Sequence, residues 1–248
     1  MDFNQRVIPQ VTANFLFQEA LARYHFALRR LPPKSNLILD LGCGTGYGTS
    51  LLAKKGTVIG LDVDKEAILY AHKHYPKATF ITASALKLPF PDKQADAAVS
   101  FETIEHFSQT AKFVSQVSRV LHTNGLFILS TPHGKSNSPY HAKYFTSATL
   151  AKALKKKFRR VQLFGQSKSP QAKAAFQKFL LSQSARQAYV HSDTLGLRKL
   201  IPKSIKEKFW TYLGAFHGRQ AQEQLTWKDF PITKYVKNCE YLIAVCQK

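Results

Sequence analysis

Short apolar runs alternate along the chain with stretches whose apolar positions recur every three or four residues. Such alternation predicts strands interleaved with helices, an α/β protein built on a parallel sheet. Leu37–Leu41 is apolar on both faces, as a strand buried inside a parallel sheet must be. Thr57–Asp62, Lys77–Thr82, Asp96–Phe101 and Leu126–Pro132 read as strands two to five, Arg160–Phe164 as strand six and Cys239–Cys246 as strand seven. Between them fall helices through Leu51 and Leu52, from Lys65 to His74 with Asp64 as N-cap, through Phe113, Val114, Val117, Val120 and Leu121, and from Thr146 to Lys157. Ahead of the first strand, Phe15, Ala20, Ala22, Phe26 and Leu28 form the apolar face of a helix running to Leu31, which Pro32-Pro33 stops.

About 70 residues separate strands six and seven, too many for a structureless loop in a compact domain. Two helical patterns occupy them. Ala172, Phe176, Phe179 and Leu180 mark the first. The second has Pro202 in its first turn, Ile205, Phe209, Tyr212, Leu213 and Phe216 as its stripe, and Gly218 at its end. The expectation is one domain over 1–248, with an N-terminal helical segment (1–35) and a helical insertion (about 167–232) whose stripes dock on the sheet edge and whose lysines face solvent. No repeat, low-complexity run or separable linker interrupts it.

Charge changes this picture in one place. The chain carries +21, and Leu150–Gln220 alone holds 16 Lys/Arg against Asp193 and Glu207, a balance of +14, leaving +7 elsewhere. That concentration suits an anionic partner or simple solubility. Lys199, Lys203, Lys206 and Lys208 accompany the second helical stripe, so a basic amphipathic surface meeting anionic lipid or another polyanion is one expectation. No apolar window is long enough to span a bilayer, and the first residues lack the apolar core of a signal peptide. Three cysteines, an odd number, point to a reducing compartment, and the expected location is cytoplasmic, with peripheral contact at the inner membrane face a further option. No metal-ligand spacing is visible.

The first strand runs into Asp40-Leu41-Gly42-Cys43-Gly44-Thr45-Gly46-Tyr47-Gly48, a glycine-dense turn opening a helix. Such a turn brings backbone close to a ligand. The spacing separates two ligand classes: Tyr47 stands where the dinucleotide fingerprint needs its third glycine, which argues against a nicotinamide oxidoreductase. Asp62, about 20 residues on at the end of the second strand, can accept both ribose hydroxyls of a nucleoside cofactor. The turn resembles motif I of the class I S-adenosylmethionine (SAM) methyltransferases, within the bacterial methyltransferase-11/23-like group. The resemblance implies a seven-stranded Rossmann-like sheet, mostly parallel with the last strand antiparallel, helices on both faces and SAM as cofactor.

Further segments carry the same resemblance, over residues 4–166 and 231–248. Arg6-Val7-Ile8-Pro9 and Ala22-Arg23-Tyr24-His25-Phe26-Ala27 are similar to the N-terminal elements of the subgroup, in which the second lies over the cofactor. Tyr24 then either touches the methionine moiety or is a packing aromatic. Ala83-Ser84-Ala85-Leu86-Lys87-Leu88-Pro89-Phe90 looks like the family's Asp-Ala-x-x-Leu-Pro-Phe segment, but Ser84 replaces the acid that accepts from the adenine amino group. A hydroxyl still accepts there, without charge assistance. Glu102-Thr103-Ile104-Glu105-His106 resembles the Glu-x-x-Glu-His element at the end of strand four, with Phe101 beside the cofactor, and Pro139-Tyr140-His141 a loop linked to saccharide and cell-surface pathways. By this resemblance Tyr24, Asp40, Gly42, Cys43, Gly44, Gly46, Asp62, Val63, Ser84, Ala85 and Phe101 bind cofactor.

Methyl transfer from a sulfonium is one in-line displacement, so the protein chiefly holds the nucleophile in place and excludes water. An oxygen nucleophile must also lose its proton, for which histidine is suited near neutral pH. His106 and His141 fall in loops at carboxyl ends of strands and are the candidate bases, with an ordinary solvated or packing histidine as the alternative for each. The absence of an Asn-Pro-Pro-Tyr-type motif favours an oxygen acceptor over amino groups of nucleic acid or protein. The expectation is O-methylation of a small-molecule, saccharide or glycolipid acceptor. The competing one is an RNA-binding or RNA-modifying protein that uses the basic insertion.

Overall fold

A computed structural model of the chain describes residues 7–9, 12–135, 138–191 and 224–248. In chain order the elements are α1 (Asn14–Leu28), β1 (Ser35–Leu41), α2 (Tyr47–Leu52), β2 (Gly56–Asp62), α3 (Lys65–His74), β3 (Thr79–Thr82), β4 (Ala95–Phe101), α4 (Thr110–Val120), β5 (Leu121–Pro132), α5 (Ser147–Lys155), β6 (Arg160–Gln166), α6 (Pro170–His191), β7 (Ile232–Thr233) and β8 (Tyr241–Gln247). Asp64 caps α3 as expected, its carboxylate accepting from the Glu66 and Ala67 amides.

The strands form one sheet in the order β3-β2-β1-β4-β5-β8-β6-β7. β1 to β5 pair in parallel, while β8 runs antiparallel between β5 and β6. The chain winds outward from β1 to β3, then returns to place β4 on the other side of β1. That reversal is the switch point at which open α/β sheets bind ligands, beyond the carboxyl ends of β1 and β4.

Period-two alternation explains the layers. Leu39, Leu41, Ala98, Phe127 and Leu129 pack with Phe113, Val117, Leu150 and Leu154 on one face of the sheet. Ile38, Ala97, Val99, Ile128 and Ile243 pack with Tyr24, Phe26 and Leu52 on the other. A strand covered on both sides has no polar face, hence its unbroken apolar run.

Four expectations need correction. The sheet has eight strands rather than seven, because Ile232–Thr233 pairs with Gly165 and Gln166 at the edge. Two residues are too few to show a period. The N-terminal helix ends at Leu28, short of Leu31. In the insertion, Ala172, Phe176 and Phe179 do pack, the last two rings edge-on to Phe15 at 5.6 and 5.0 Å, but Leu180 is exposed. Nor do all the insertion's lysines face solvent: Lys168 is buried, its Nζ 2.8 Å from Glu19 Oε1 and 3.2 Å from Glu240 Oε1. The second helical pattern, with Lys199, Lys203, Lys206 and Lys208, lies outside the described residues.

The Lys168–Glu19 pair belongs to a buried polar seam that fixes α1 to β6 and β8. Arg23 Nη1 donates to Gln166 Oε1 at 2.8 Å, Gln166 Nε2 to the Glu19 carbonyl at 2.8 Å, and the Tyr241 hydroxyl to Glu19 Oε2 at 3.2 Å. These bonds meet most of the polar groups brought under α1, where an unpaired one is costly, and leave Arg23 Nε without a hydrogen-bond partner among the described residues. Lys168→Ala strands the Glu19 carboxylate, and we expect a loss of about 3–5 kcal/mol in urea denaturation. A loss below about 1 kcal/mol would show that the pair is solvated in practice.

Candidate active site

The turn after β1 depends on backbone torsions that side chains disfavour. Gly42, Gly44 and Gly46 have φ of 75°, 54° and 84°. A Cβ on Gly46 would also sit 2.7 Å from Ala71 and Phe80. Glycine alone meets both demands without strain. The turn is tied to β2 through Asp62, whose Oδ2 accepts from the Gly44 amide at 2.9 Å and Oδ1 from the Asp64 amide at 3.0 Å.

Over this turn lies a cavity of about 140 Å³ lined by Val7, Ala20, Arg23, Tyr24, Gly42, Cys43, Gly44, Thr45, Tyr47, Phe101 and Glu102. Its wall is aromatic on one side: the Tyr24 ring meets Phe101 edge-on at 4.8 Å and Tyr47 at 5.4 Å. Tyr24 reaches this position because residue 48 is glycine; a Cβ there would fall 1.9 Å from the Tyr24 ring. Charge lies on the other side. Burial opposes the Arg23 charge, but Glu102, Tyr241 and Glu19 outweigh it and raise its pKa. Burial likewise raises Glu102, against the pull of Arg23 and the 2.6 Å hydrogen bond from Ser130 Oγ. Arg23 Nε is buried with no hydrogen-bond partner among the described residues.

Of the residues expected to bind cofactor, Tyr24, Gly42, Cys43, Gly44 and Phe101 line this cavity. Asp62 and Gly46 shape the turn beneath it. Val63 follows Asp62 and is 66% exposed. Beside it, Ala85 is buried and Ser84 is half-buried, its Oγ accepting from the Leu86 amide at 3.2 Å. Asp40 is not in the wall. It is fully buried, its Oδ2 accepting from Thr49 Oγ1 at 2.7 Å and both oxygens lying 3.4 Å from the Tyr24 hydroxyl. Its place is behind the lining, where it holds Tyr24.

Arg23 and Glu102 are the two charged lining residues, and sequence reasoning passed over both. The Arg-Tyr pair at 23–24 was the available signal for the first. Glu102 sits at φ 52°, a left-handed torsion uncommon outside glycine, which no sequence pattern announced.

His106 and His141 do meet, their rings 5.1 Å apart and nearly perpendicular. His106 is exposed, its Nδ1 3.0 Å from the Tyr140 carbonyl. Burial and the neighbouring His106 push His141 below the usual imidazole pKa. Glu105, between the two strands' loops, is buried; burial, then the nearby Glu102, push its carboxyl up to about 9. Exposed Tyr140 and Tyr144 flank this mouth.

Asp40 makes a pH signature. Burial pushes its carboxyl up to about 7, so the folded chain keeps a proton that the unfolded chain releases near pH 4. Between those values the unfolded state binds fewer protons, and stability falls as pH rises, levelling above about 7. Asp40→Asn cannot ionise and should lose that slope. Urea denaturation at several pH values between 4 and 8 should show the gap between the two proteins shift by up to about 4 kcal/mol in favour of the variant. A gap independent of pH would mean that Asp40 ionises normally.

Comparison with known proteins agrees with this architecture. Residues 39–129 match the family described as "Methyltransferase domain". A protein of Mycobacterium tuberculosis named "Probable S-adenosylmethionine-dependent methyltransferase" is 35% identical over 139 residues, 54% of this chain and 49% of that one. A fatty-acid O-methyltransferase of Mycolicibacterium smegmatis is 28% identical over 148 residues, 58% of this chain and 54% of the relative. The match thus spans about half the length of these relatives. The crystal structure of a SAM-dependent methyltransferase from Thermotoga maritima superposes with a TM-score of 0.61 at 15% identity, over 95% of this chain and 91% of that one, which speaks to fold alone. In its glycine turn, its strand-two acid, its sheet order and the domain match over residues 39–129, the chain is similar to the class I SAM-dependent methyltransferases.

Proposed function

We propose that the chain transfers a methyl group from SAM to an oxygen of a small-molecule, saccharide or lipid acceptor. The observation that carries the cofactor half is Arg23 Nε, buried on the wall of the cavity above the glycine turn with no hydrogen-bond partner among the described residues. A guanidinium held there suits the carboxylate of a methionine moiety, and Glu102 opposite suits its ammonium. The rings of Tyr24, Tyr47 and Phe101 suit a sulfonium, which is a cation. Asp62, oriented by the Gly44 and Asp64 amides at the end of β2, is the carboxylate placed to meet ribose hydroxyls. Val63, exposed after Asp62, and half-buried Ser84 are the residues that would meet the adenine ring. Bound SAM supplies an electrophilic methyl.

The remaining work is done by the chain's own groups. Asp40, itself held by Thr49 Oγ1, accepts from the Tyr24 hydroxyl, and Gly48 leaves room for the Tyr24 ring against α2. Closed walls exclude water from the reacting centre. On the acceptor side, His106 and His141 each offer an imidazole nitrogen to a hydroxyl proton, and Tyr140 and Tyr144 offer exposed rings to a sugar face or an acyl chain. The names of the O-methylating relatives accord with an oxygen acceptor.

Isothermal titration calorimetry tests the cofactor half directly. Asp62→Ala should weaken SAM and S-adenosylhomocysteine about tenfold or more, since a charge-assisted contact contributes about 1.5–3 kcal/mol. Ser84→Asp should hold or improve affinity, because a carboxylate can take over the Leu86 amide and also accept from the adenine amino group. Undiminished affinity in folded Asp62→Ala would sink the assignment.

A further inference from the structure

We infer that Glu105, His106 and His141 form a divalent-cation site at the mouth of the crevice, with an open position for the acceptor oxygen. The sequence hides it, because His141 lies 35 residues from His106 and on a separate loop. The fold brings one ligand atom from each residue within 4.8 Å of the others. Bonds of about 2.0–2.2 Å to a cation between them place neighbouring ligand atoms about 3–3.5 Å apart, so a side-chain movement of about 1 Å closes the set.

Three features distinguish this cluster from a chance meeting of polar side chains. Each member is already oriented by a partner or buried with a lone pair to spare. Thr131 Oγ1 donates to Glu105 Oε2 at 3.1 Å, while Glu105 Oε1 is buried and has no hydrogen-bond partner among the described residues. His106 Nδ1 donates to the Tyr140 carbonyl at 3.0 Å, which orients the ring and leaves Nε2 as the nitrogen available to a cation. His141 Nδ1 is buried and likewise lacks a partner among the described residues. Backbone carbonyls and hydroxyls that orient the far side of a ligand are the usual outer shell of a protein metal site. Left without a cation, two buried polar atoms stay unsatisfied at about 1–3 kcal/mol each.

Two imidazoles and one carboxylate suit Zn²⁺, Co²⁺, Fe²⁺ or Mn²⁺ better than Ca²⁺ or Mg²⁺. Three protein ligands leave positions open toward exposed His106, Tyr140 and Tyr144. What the cation does there rests on the methyl-transfer reading; that it binds does not. A hydroxyl on the cation has a lowered pKa. With the cation held, the two imidazoles serve as ligands in place of bases: the O–H bond breaks with the proton passing to water, the oxygen lone pair forms the new O–CH₃ bond, and the S–CH₃ pair stays on sulfur.

Titration of untagged, metal-free protein with Co²⁺ alone should give one equivalent bound and a visible d–d absorption that Zn²⁺ displaces. His106→Ala, His141→Ala and Glu105→Gln should each weaken Co²⁺ about tenfold or more, and His106→Ala/His141→Ala should abolish the absorption. His106 is exposed, so its variant keeps the test valid if the buried Glu105→Gln fails to fold. No Co²⁺ or Zn²⁺ binding to the unaltered protein, or equal binding by the double variant, overturns the site. SAM titrations on the same samples separate the two readings: Co²⁺ binding without SAM binding defeats methyl transfer and keeps the cation site, and the reverse defeats the cation site alone.

Discussion

The hydrogen bond from the Gly44 amide to Asp62 is the contact on which the site depends. It joins the turn after β1 to the end of β2 and sets three left-handed glycines side by side against a carboxylate. A Cβ at Gly42 would meet Thr103 and one at Gly46 would meet Ala71 and Phe80, so at these positions the backbone itself forms the turn's surface. A floor of bare peptide admits a ligand to closer range than any side chain would allow. The switch point of the sheet then supplies the second wall, since β4 emerges beside β1 and delivers Phe101 and Glu102 to the same crevice.

The roof is α1, and its attachment is polar rather than apolar. Arg23, Glu19, Gln166, Lys168 and Tyr241 form a connected set beneath the helix, and Arg23 also stacks its guanidinium over the Tyr241 ring at 4.8 Å. Buried networks of this kind tolerate no partial loss, because each member desolvates the next. The arrangement links stability to function: the arginine that faces the cavity is the one that the sheet edge holds in register. The edge itself exists because β8 inserts between β5 and β6 despite a connection of about 70 residues, and loop closure grows only slowly with length.

Two polar systems therefore meet at the end of β4. Glu102 looks inward to Arg23 and Ser130, and Glu105 looks outward to Thr131 and the two histidines. Two residues of a tight turn, Thr103 and Ile104, separate them, so both systems are placed by one segment. A change in the turn at Ile104–His106 acts on both, and its effects on cofactor affinity and cation affinity need separate measurement.

Local chemistry made much of this legible in the chain alone. The strand of β1, the glycine turn, the cap Asp64 and the acid Asp62 follow from torsional freedom, periodicity and short-range hydrogen bonding, and all stand where the sequence puts them. Tertiary structure alone decided the rest. The two-residue strand Ile232–Thr233 has no period of its own and forms only because Gly165 and Gln166 offer an edge. Lys168 reads as one more solvated lysine until Glu19, 149 positions away, takes it into the interior. Asp40 reads as a ligand contact and proves to be a buried prop for Tyr24. The Glu105–His106–His141 cluster has no spacing to recognise, since only the fold brings His141 to the adjacent pair Glu105 and His106. A sequence records what a residue can do with its near neighbours; long-range partners depend on which surfaces the sheet order brings together, and that order is a property of the whole packed core.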